Sequence, residues 1–264
     1  MAKLVWGIAG ERFYEAGVDR GVLYIADQPG VVWNGLTSVS EIPSGGETKA
    51  YYIDGVKYQQ VSADEEFVAN IEAFTYPDEF AECEGTLQSP HSGLFLTSQP
   101  RKSFGLSYRT RIGNDLDGPD HAYKLHLVYN ALAESSARQN ETLDESPNLT
   151  NFSWRVTTLP PPITGYKRTA HFVVDSRSTD PLALTALEEI LYGSDALTPR
   201  LPDASELFDI FETHSSFVVI DNGDGSFTAS GTDFQVHMLD STTFEINTPA
   251  AVFIDATSYT LTSS

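Results

Sequence analysis

The chain has 264 residues, which is enough for one large or two small domains. Its 37 acidic and 16 basic residues give a formal net charge of −21, which favours a soluble protein and argues against a nucleic-acid-binding or anionic-membrane-binding surface. A hydrophobic content of 41% excludes a disordered chain, and the one cysteine, Cys83, excludes an intramolecular disulfide.

The N-terminal part, residues 1–30, is punctuated by glycine and holds one short predicted strand at residues 21–25. No long apolar run follows Met1, and no run in the chain reaches transmembrane length, so we expect neither a secretory signal nor a membrane span. This segment is typical of an arm that is either loose or laid on a neighbouring subunit.

Residues 33–76 predict an antiparallel sheet. Two β-rich runs meet at Asp54-Gly55, a pair that suits the tight hairpin turn in which both central residues have φ > 0. In residues 67–76 the apolar side chains alternate, which predicts a strand with one apolar face. Asn70 and Glu72 fall on the other, mixed face.

A polar, glycine-rich loop is predicted at residues 42–48, between two strands that we expect to pair. Its central residues are Pro43, Ser44, Gly45, Gly46 and Glu47. A mobile loop projecting from a rigid hairpin suits contact between subunits, whereas the alternative is a passive surface loop.

Further strands are predicted at residues 103–112, 121–130, 152–156 and 170–175, with a helical turn at 78–82. The one long helix is predicted at residues 181–192. Asp180 suits its N-cap, Pro181 its first position and Gly193 its C-terminal end. Its apolar residues form one stripe, so we expect this helix to lie on a sheet.

The composition changes at Leu201, after which no lysine or arginine occurs. A short helix is predicted at residues 205–212, followed by six short strands at residues 216–220, 226–230, 234–238, 243–247, 251–254 and 259–262. We therefore divide the chain into a β-sandwich domain, residues 1–200, and an acidic β-rich subdomain or extension, residues 201–264.

No catalytic or cofactor motif is found, and we expect no enzyme activity, no cofactor and no metal. The histidines show no metal-binding spacing, so we expect each to sit alone: His91, His121, His126, His171, His214 and His237. The segment from Asp221 to Gly225 is typical of a β-turn, since it lacks the register of a calcium loop.

Six segments follow one another in a distinctive order and spacing: residues 17–24, 32–36, 52–58, 71–80, 104–110 and 123–130. Together they resemble the major tail (tail tube) proteins of long-tailed, siphovirus-type phages that infect actinobacteria. Residues 222–231 and 242–246 resemble the C-terminal end of the same group.

The resemblance implies a mainly β, tail-tube-type sandwich or barrel with one flanking α-helix, plus a small C-terminal β-rich segment. It also implies hexameric rings that stack into the tube through which genomic DNA leaves the virion, without specific binding. Expected partners are further copies of the chain and the tape measure, tail terminator and distal tail proteins. The location would be the virion tail, assembled in the host cytoplasm and without membrane contact. On this basis we hypothesise that residues 43–47 contact the adjacent ring and that Asn70 and Glu72 face the bore.

Two other functions fit a β-sandwich. An acidic sandwich with exposed tyrosine and tryptophan would serve as a carbohydrate-binding or adhesion module. A glycoside hydrolase would need two carboxylates about 5 to 9 Å apart in a cleft. Paired carboxylates are common in so acidic a chain, so the pairs alone do not favour this second function.

Overall fold

The computed structural model describes residues 4–46, 48–62, 65–138, 140, 142 and 150–213, and within 214–264 only four short backbone strands. The described structure is mainly β, as predicted. Its strands are β1 (Tyr14–Ile25), β2 (Val31–Val32), β3 (Leu36–Glu41), β4 (Ser44–Gly45), β5 (Thr48–Ile53), β6 (Val56–Ser62), β7 (Glu65–Glu66), β8 (Val68–Ala73), β9 (Leu87–Gln88), β10 (Phe95–Leu96), β11 (Phe104–Asn114), β12 (Gly118–Ala133), β13 (Phe152–Thr158), β14 (His171–Asp175), β15 (Val218–Asp221), β16 (Phe227–Ser230), β17 (Gln235–Met238) and β18 (Phe244–Asn247). Its helices are a 3-10 turn (Asp78–Glu82), α1 (Pro181–Tyr192) and α2 (Ala204–Thr213).

Eight strands form the main antiparallel sheet, in the order β2-β1-β11-β12-β13-β8-β3, with β14 also paired to β12. The strand β12 changes neighbours along its length. It pairs with β14 through residues 124–128 and with β13 through residues 131–133. Asn130 lies between these two parts with φ of 48°, a left-handed conformation that interrupts the pleat. The sheet also curves over on itself, which brings the Leu36 side chain of β3 over Gly21 of β1.

The first core lies on the inner face of this folded sheet and is rich in aromatic residues. Trp33, Phe80 and Trp154 are buried and pack together, with the Phe80 ring centroid 4.7 Å from Trp33 and 5.1 Å from Trp154. The indole nitrogen of Trp33 donates a hydrogen bond to the Thr75 carbonyl oxygen, so its polar atom is satisfied. Cys83 is buried in the same cluster, where burial raises the pKa of its thiol to about 12.

The second core lies on the opposite face, beneath the two α-helices. Alternate residues of β12 point into it, and Leu187 and Leu191 of α1 and Leu207 and Ile210 of α2 cover them. The β12 residues are Tyr123, Leu125, Leu127 and Tyr129. Burying four such aliphatic side chains contributes about 1.5–3 kcal/mol for each, so the helices are integral to the sheet.

The predicted helix at residues 181–192 is confirmed with these bounds, and Asp180 caps it by accepting a hydrogen bond from the Leu182 backbone N–H. The short helix predicted at 205–212 is confirmed as α2, and it packs beside α1 in the second core.

Four of the C-terminal strands are confirmed as β15 to β18. The strands predicted at 251–254 and 259–262 lie outside the described residues. Among the described residues, no helix is long and apolar enough to span a membrane.

Residues 36–73 form one interrupted antiparallel ribbon, in which β3 pairs with β8, β4 with β7 and β5 with β6. The hairpin turn at Asp54-Gly55 is confirmed, with φ of 52° and 77°. The predicted pairing of the strands on either side of the 42–48 loop is wrong. The chain reverses at the Asp54-Gly55 turn, so the strands before the turn (β3, β4 and β5) pair with the strands after it (β8, β7 and β6). Ser44 and Gly45, which were predicted to lie in the loop, form β4.

Candidate functional site

The far end of the ribbon, β5 and β6 with their turn, is called the ribbon tip (residues 48–62). Its described side chains are exposed, apart from a half-buried Ala50. It nevertheless carries large apolar side chains: Tyr51, Tyr52, Ile53, Val56, Tyr58 and Val61. Tyr52 and Tyr58 are 65% and 70% exposed. A lone two-stranded hairpin is marginally stable in water, and large exposed apolar patches of soluble proteins occur at sites that bind other proteins, membranes or ligands.

The residues proposed to contact an adjacent ring lie at the base of the ribbon tip. Ser44 and Gly45 are exposed in β4, where they pair with Glu66 and Glu65. Pro43 and Gly46 line a cavity of about 1040 Å³. Glu47 lies outside the described residues. The proposed inter-ring contact of this segment stays a prediction.

Asn70 and Glu72, proposed to face the bore, lie on the face of β8 that points away from the first core, and both are half-buried. The Glu72 carboxylate accepts hydrogen bonds from the Ser38 hydroxyl at 3.2 Å and from the Asn151 amide at 3.4 Å. Arg155 pairs with Asn70 across the β8–β13 ladder, so this face is polar but not purely acidic. The assignment of Asn70 and Glu72 to the wall of a bore stays a prediction.

Asp19 joins two strands through two arginines. The Arg109 guanidinium donates to both oxygens of the Asp19 carboxylate, at 2.6 and 2.7 Å, and Arg111 donates to one of them at 2.9 Å. The Arg109 group also lies over the Tyr123 ring, 5.0 Å from its centroid. Hydrogen bonds from Arg109 hold the pKa of Asp19 below its usual 3.8, with Arg111 adding to the effect and burial opposing it. This network ties β1 to β11 and β12.

Two histidines and a carboxylate meet between β3, β12 and β14. His126 Nδ1 lies 3.1 Å from His171 Nε2 and 3.5 Å from Glu41 Oε1, and the third distance, from His171 Nε2 to Glu41 Oε1, is 3.9 Å. The expectation that each histidine sits alone is therefore wrong for His126 and His171. The pairing of β12 with β14 brings them together, and no local spacing in the sequence reveals it.

The surroundings of this cluster fix its protonation. Burial, with a smaller contribution from His171, lowers the pKa of His126 to about 4, and burial also lowers the pKa of His171. Both imidazoles are therefore neutral at pH 7. Tyr108 donates a hydrogen bond to Glu41 Oε1 at 3.0 Å, and burial raises the pKa of its hydroxyl, which stays protonated.

Comparisons with known proteins find similarity only among solved structures. No protein-family profile matches the sequence, and no curated relative matches it. Among solved structures, one similar chain comes from the cryo-EM structure of an extracellular contractile injection system, a PVC sheath-tube complex in its extended state. The match covers 64% of this chain and 93% of that chain, with a TM-score of 0.34 and 12% identity. A similarity this low establishes neither a shared fold nor a shared function.

Proposed function

We propose that the chain is a structural protein of a phage tail, which self-assembles into stacked rings that form the tube for DNA delivery. The proposal includes no catalytic step. It assigns the chain to the tail of a siphovirus-type virion, built in the host cytoplasm, and six copies to each ring, in line with the sequence resemblance given above. Its partners would be further copies and the other tail proteins.

The observation that carries this proposal is the ribbon tip. Its large apolar side chains are exposed in the single chain, and Tyr52, Val56 and Tyr58 are all at least 65% exposed. A neighbouring copy that covers these residues would supply the burial that a two-stranded hairpin lacks. The N-terminal arm adds a second exposed apolar segment, since Leu4 and Trp6 are 74% and 83% exposed.

The edges of the main sheet and the charge of the chain also favour assembly into a tube. The strands β2 and β3 end the sheet path, and among the described strands β3 pairs with β8 alone. Ring closure pairs such edges between subunits and so removes an aggregation hazard. A net charge of −21 would keep the wall of a tube from binding DNA, which carries about one negative charge per 1.7 Å of duplex axis.

A double substitution at the ribbon tip tests the proposal. Tyr52→Ser with Tyr58→Ser removes apolar surface that nothing covers in the single chain, so folding should be unchanged by circular dichroism. Negative-stain microscopy and sedimentation should show rings and tubes for the unchanged protein and none for the double variant.

Leu159→Ser is the matched control, because Leu159 is 74% exposed and lies outside the ribbon. It should assemble normally. Tubes that form equally well with the double variant would show that the ribbon tip makes no subunit contact.

A further inference from the structure

We propose that Glu41, His126 and His171 bind one divalent transition-metal ion, with Zn²⁺ as the ion that fits best. The three side chains come from β3, β12 and β14, and each offers one ligand atom. All three ligands belong to one chain, so metal binding can be tested on the monomer.

The distances between the ligand atoms suit a single small ion. Two ligand atoms that are each about 2.0–2.1 Å from Zn²⁺ lie roughly 3.3 Å apart at a tetrahedral angle. The observed separations of 3.1, 3.5 and 3.9 Å lie around that value. Shifts of a few tenths of an ångström would therefore complete the coordination, without any change of backbone path.

The donor types select the ion. Two imidazole nitrogens and one carboxylate oxygen suit Zn²⁺ and its first-row neighbours, whereas Mg²⁺ and Ca²⁺ prefer sites built wholly from oxygen. The net charge of −21 also raises the local concentration of cations.

Groups around the three ligands hold them in position, as the outer shell of a metal site does. The Thr110 hydroxyl lies 3.0 Å from His126 Nε2, so when it accepts the Nε2 proton, the Nδ1 lone pair faces His171 and Glu41. The Tyr108 hydroxyl donates to the Glu41 carboxylate, and the Tyr108 ring stacks on His126 with a centroid distance of 4.5 Å. The Phe67 ring covers His171 at 4.4 Å.

The fourth coordination position would be open to solvent. Glu41 and His171 both line the cavity of about 1040 Å³ at the base of the ribbon tip. The side chain of His126 is 8% exposed and that of His171 12%, whereas Glu41 is 42% exposed. An ion would therefore enter from the cavity and bind a water molecule there.

A bound ion would join strands that do not pair directly in the described sheet. In the main sheet β3 pairs with β8, whereas His126 and His171 lie on the paired strands β12 and β14. Coordination would link the base of the ribbon directly to β12, in the middle of the sheet path, and to β14. Binding to the folded state alone raises the melting temperature in proportion to the logarithm of the free ion concentration.

Isothermal titration of the metal-free full-length chain with Zn²⁺, at a dilution where it is monomeric, tests the site. We expect saturable binding of one ion per chain and a melting temperature that rises with Zn²⁺ and falls again with a chelator. Glu41→Gln and His171→Ala should each weaken binding by at least about tenfold, and Tyr108→Phe by about 10- to 100-fold. Co²⁺ in place of Zn²⁺ should give visible absorption bands that these variants lose.

His91→Ala is the matched control, because His91 is exposed and lies outside the cluster. It should bind Zn²⁺ as the unchanged chain does. His126 is buried and its variants risk misfolding, so the test uses the more exposed Glu41 and His171, with circular dichroism as the check on folding. An absence of 1:1 binding to the unchanged chain, or binding that Glu41→Gln and His171→Ala leave intact, would overturn the proposal.

Discussion

Asp19 is the acceptor for two arginines on the neighbouring strand, and the Asp19→Asn substitution shows how much this contact stabilises the fold. The substitution would leave Arg109, whose side chain is 15% exposed, with no anionic partner at this position. Hydrogen bonds to charged groups contribute about 1.5–3 kcal/mol, and solvent screening at this partly exposed site reduces that to about 1 kcal/mol. Urea unfolding at pH 7 should show a loss of that size.

The same contact predicts a pH dependence. The arginines hold the folded-state pKa of Asp19 below 3.8, and the unfolded-state value is about 3.9. The stabilisation is therefore present above about pH 4 and is lost as the pH falls through the lower, folded-state pKa. The difference between Asp19→Asn and the unchanged protein should shrink in acid. Asp120→Asn is the control: Asp120 also binds Arg111 but is 76% exposed, so its loss should cost about 0–0.5 kcal/mol.

Glu72 tests whether the polar face of β8 lines a DNA channel. In stacked rings Glu72→Lys would reverse a charge in every subunit and add lysine–phosphate contacts that hold DNA. Its neighbours are the Ser38 hydroxyl and the Asn151 amide, so the substitution should leave the fold and the tubes intact. DNA ejection from particles that carry the variant should slow, most clearly at low salt, where screening is weakest.

Glu72→Gln is the companion variant, because it removes the charge and keeps an acceptor for Ser38. It should eject DNA at nearly the normal rate. Loss of tubes with Glu72→Lys but not with Glu72→Gln would instead place Glu72 at a subunit interface and refute its position in the bore.

At the residue scale, the sequence predicts the features that depend on neighbouring residues alone, such as which face of a strand a side chain occupies and which residue caps a helix. The alternation in residues 67–76 placed Ile71 in the core and Glu72 on the opposite face, and Asp180 was identified as a helix cap from its position before a proline. The cluster of Glu41, His126 and His171 was missed. Its members are far apart in the sequence, and the pairing of β12 with β14 that brings the histidines together leaves no spacing to detect.

At the element scale, α2 decides where the chain can be shortened. Leu207 and Ile210 are 4% and 5% exposed and lie in the second core with α1. Truncation after Pro199 removes both and should cost about 3–6 kcal/mol, since each such side chain contributes about 1.5–3 kcal/mol on burial. It also removes Arg200, whose backbone N–H donates a hydrogen bond to the Ile190 carbonyl oxygen of α1.

Truncation after Thr213 is the matched comparison, because it keeps α2 and removes only residues 214–264. It should keep a melting temperature within a few degrees of the full chain and should still assemble into tubes. A shortened chain that ends at Thr213 and unfolds would show that residues 214–264 contribute to the main core. A stable chain ending at Pro199 would show that α2 is dispensable.

At the element scale, the sequence predicts helices and hairpins that carry their own turn or capping residues. It predicts only some of the pairings between strands. The hairpin at Asp54-Gly55 and the helix α1 carry their own turn and capping residues, and both are confirmed. The course of the ribbon beyond the hairpin was not predicted, because ladder register between distant strands is set by the whole sheet. For the same reason the change of neighbours along β12 at Asn130 has no counterpart in its alternating sequence.

At the scale of the whole molecule, the net charge and the exposed apolar surface have opposite effects on the association of copies. A net charge of −21 makes copies repel one another, whereas the ribbon tip and the N-terminal arm expose apolar side chains that association would bury. Salt screens the repulsion and leaves the apolar contribution, because the screening length falls from about 8 Å at physiological ionic strength to about 3 Å at 1 M salt. Assembly should therefore increase with ionic strength, which distinguishes it from association driven by ion pairs.

The most direct test is negative-stain microscopy of the purified full-length chain, concentrated at physiological and at high salt, with sedimentation in parallel. The proposed function predicts rings of uniform diameter that stack into hollow tubes, with more and longer tubes at high salt. Single particles of monomer size at every concentration and salt level would contradict it, and would favour the carbohydrate-binding or adhesion module that the same β-sandwich also allows.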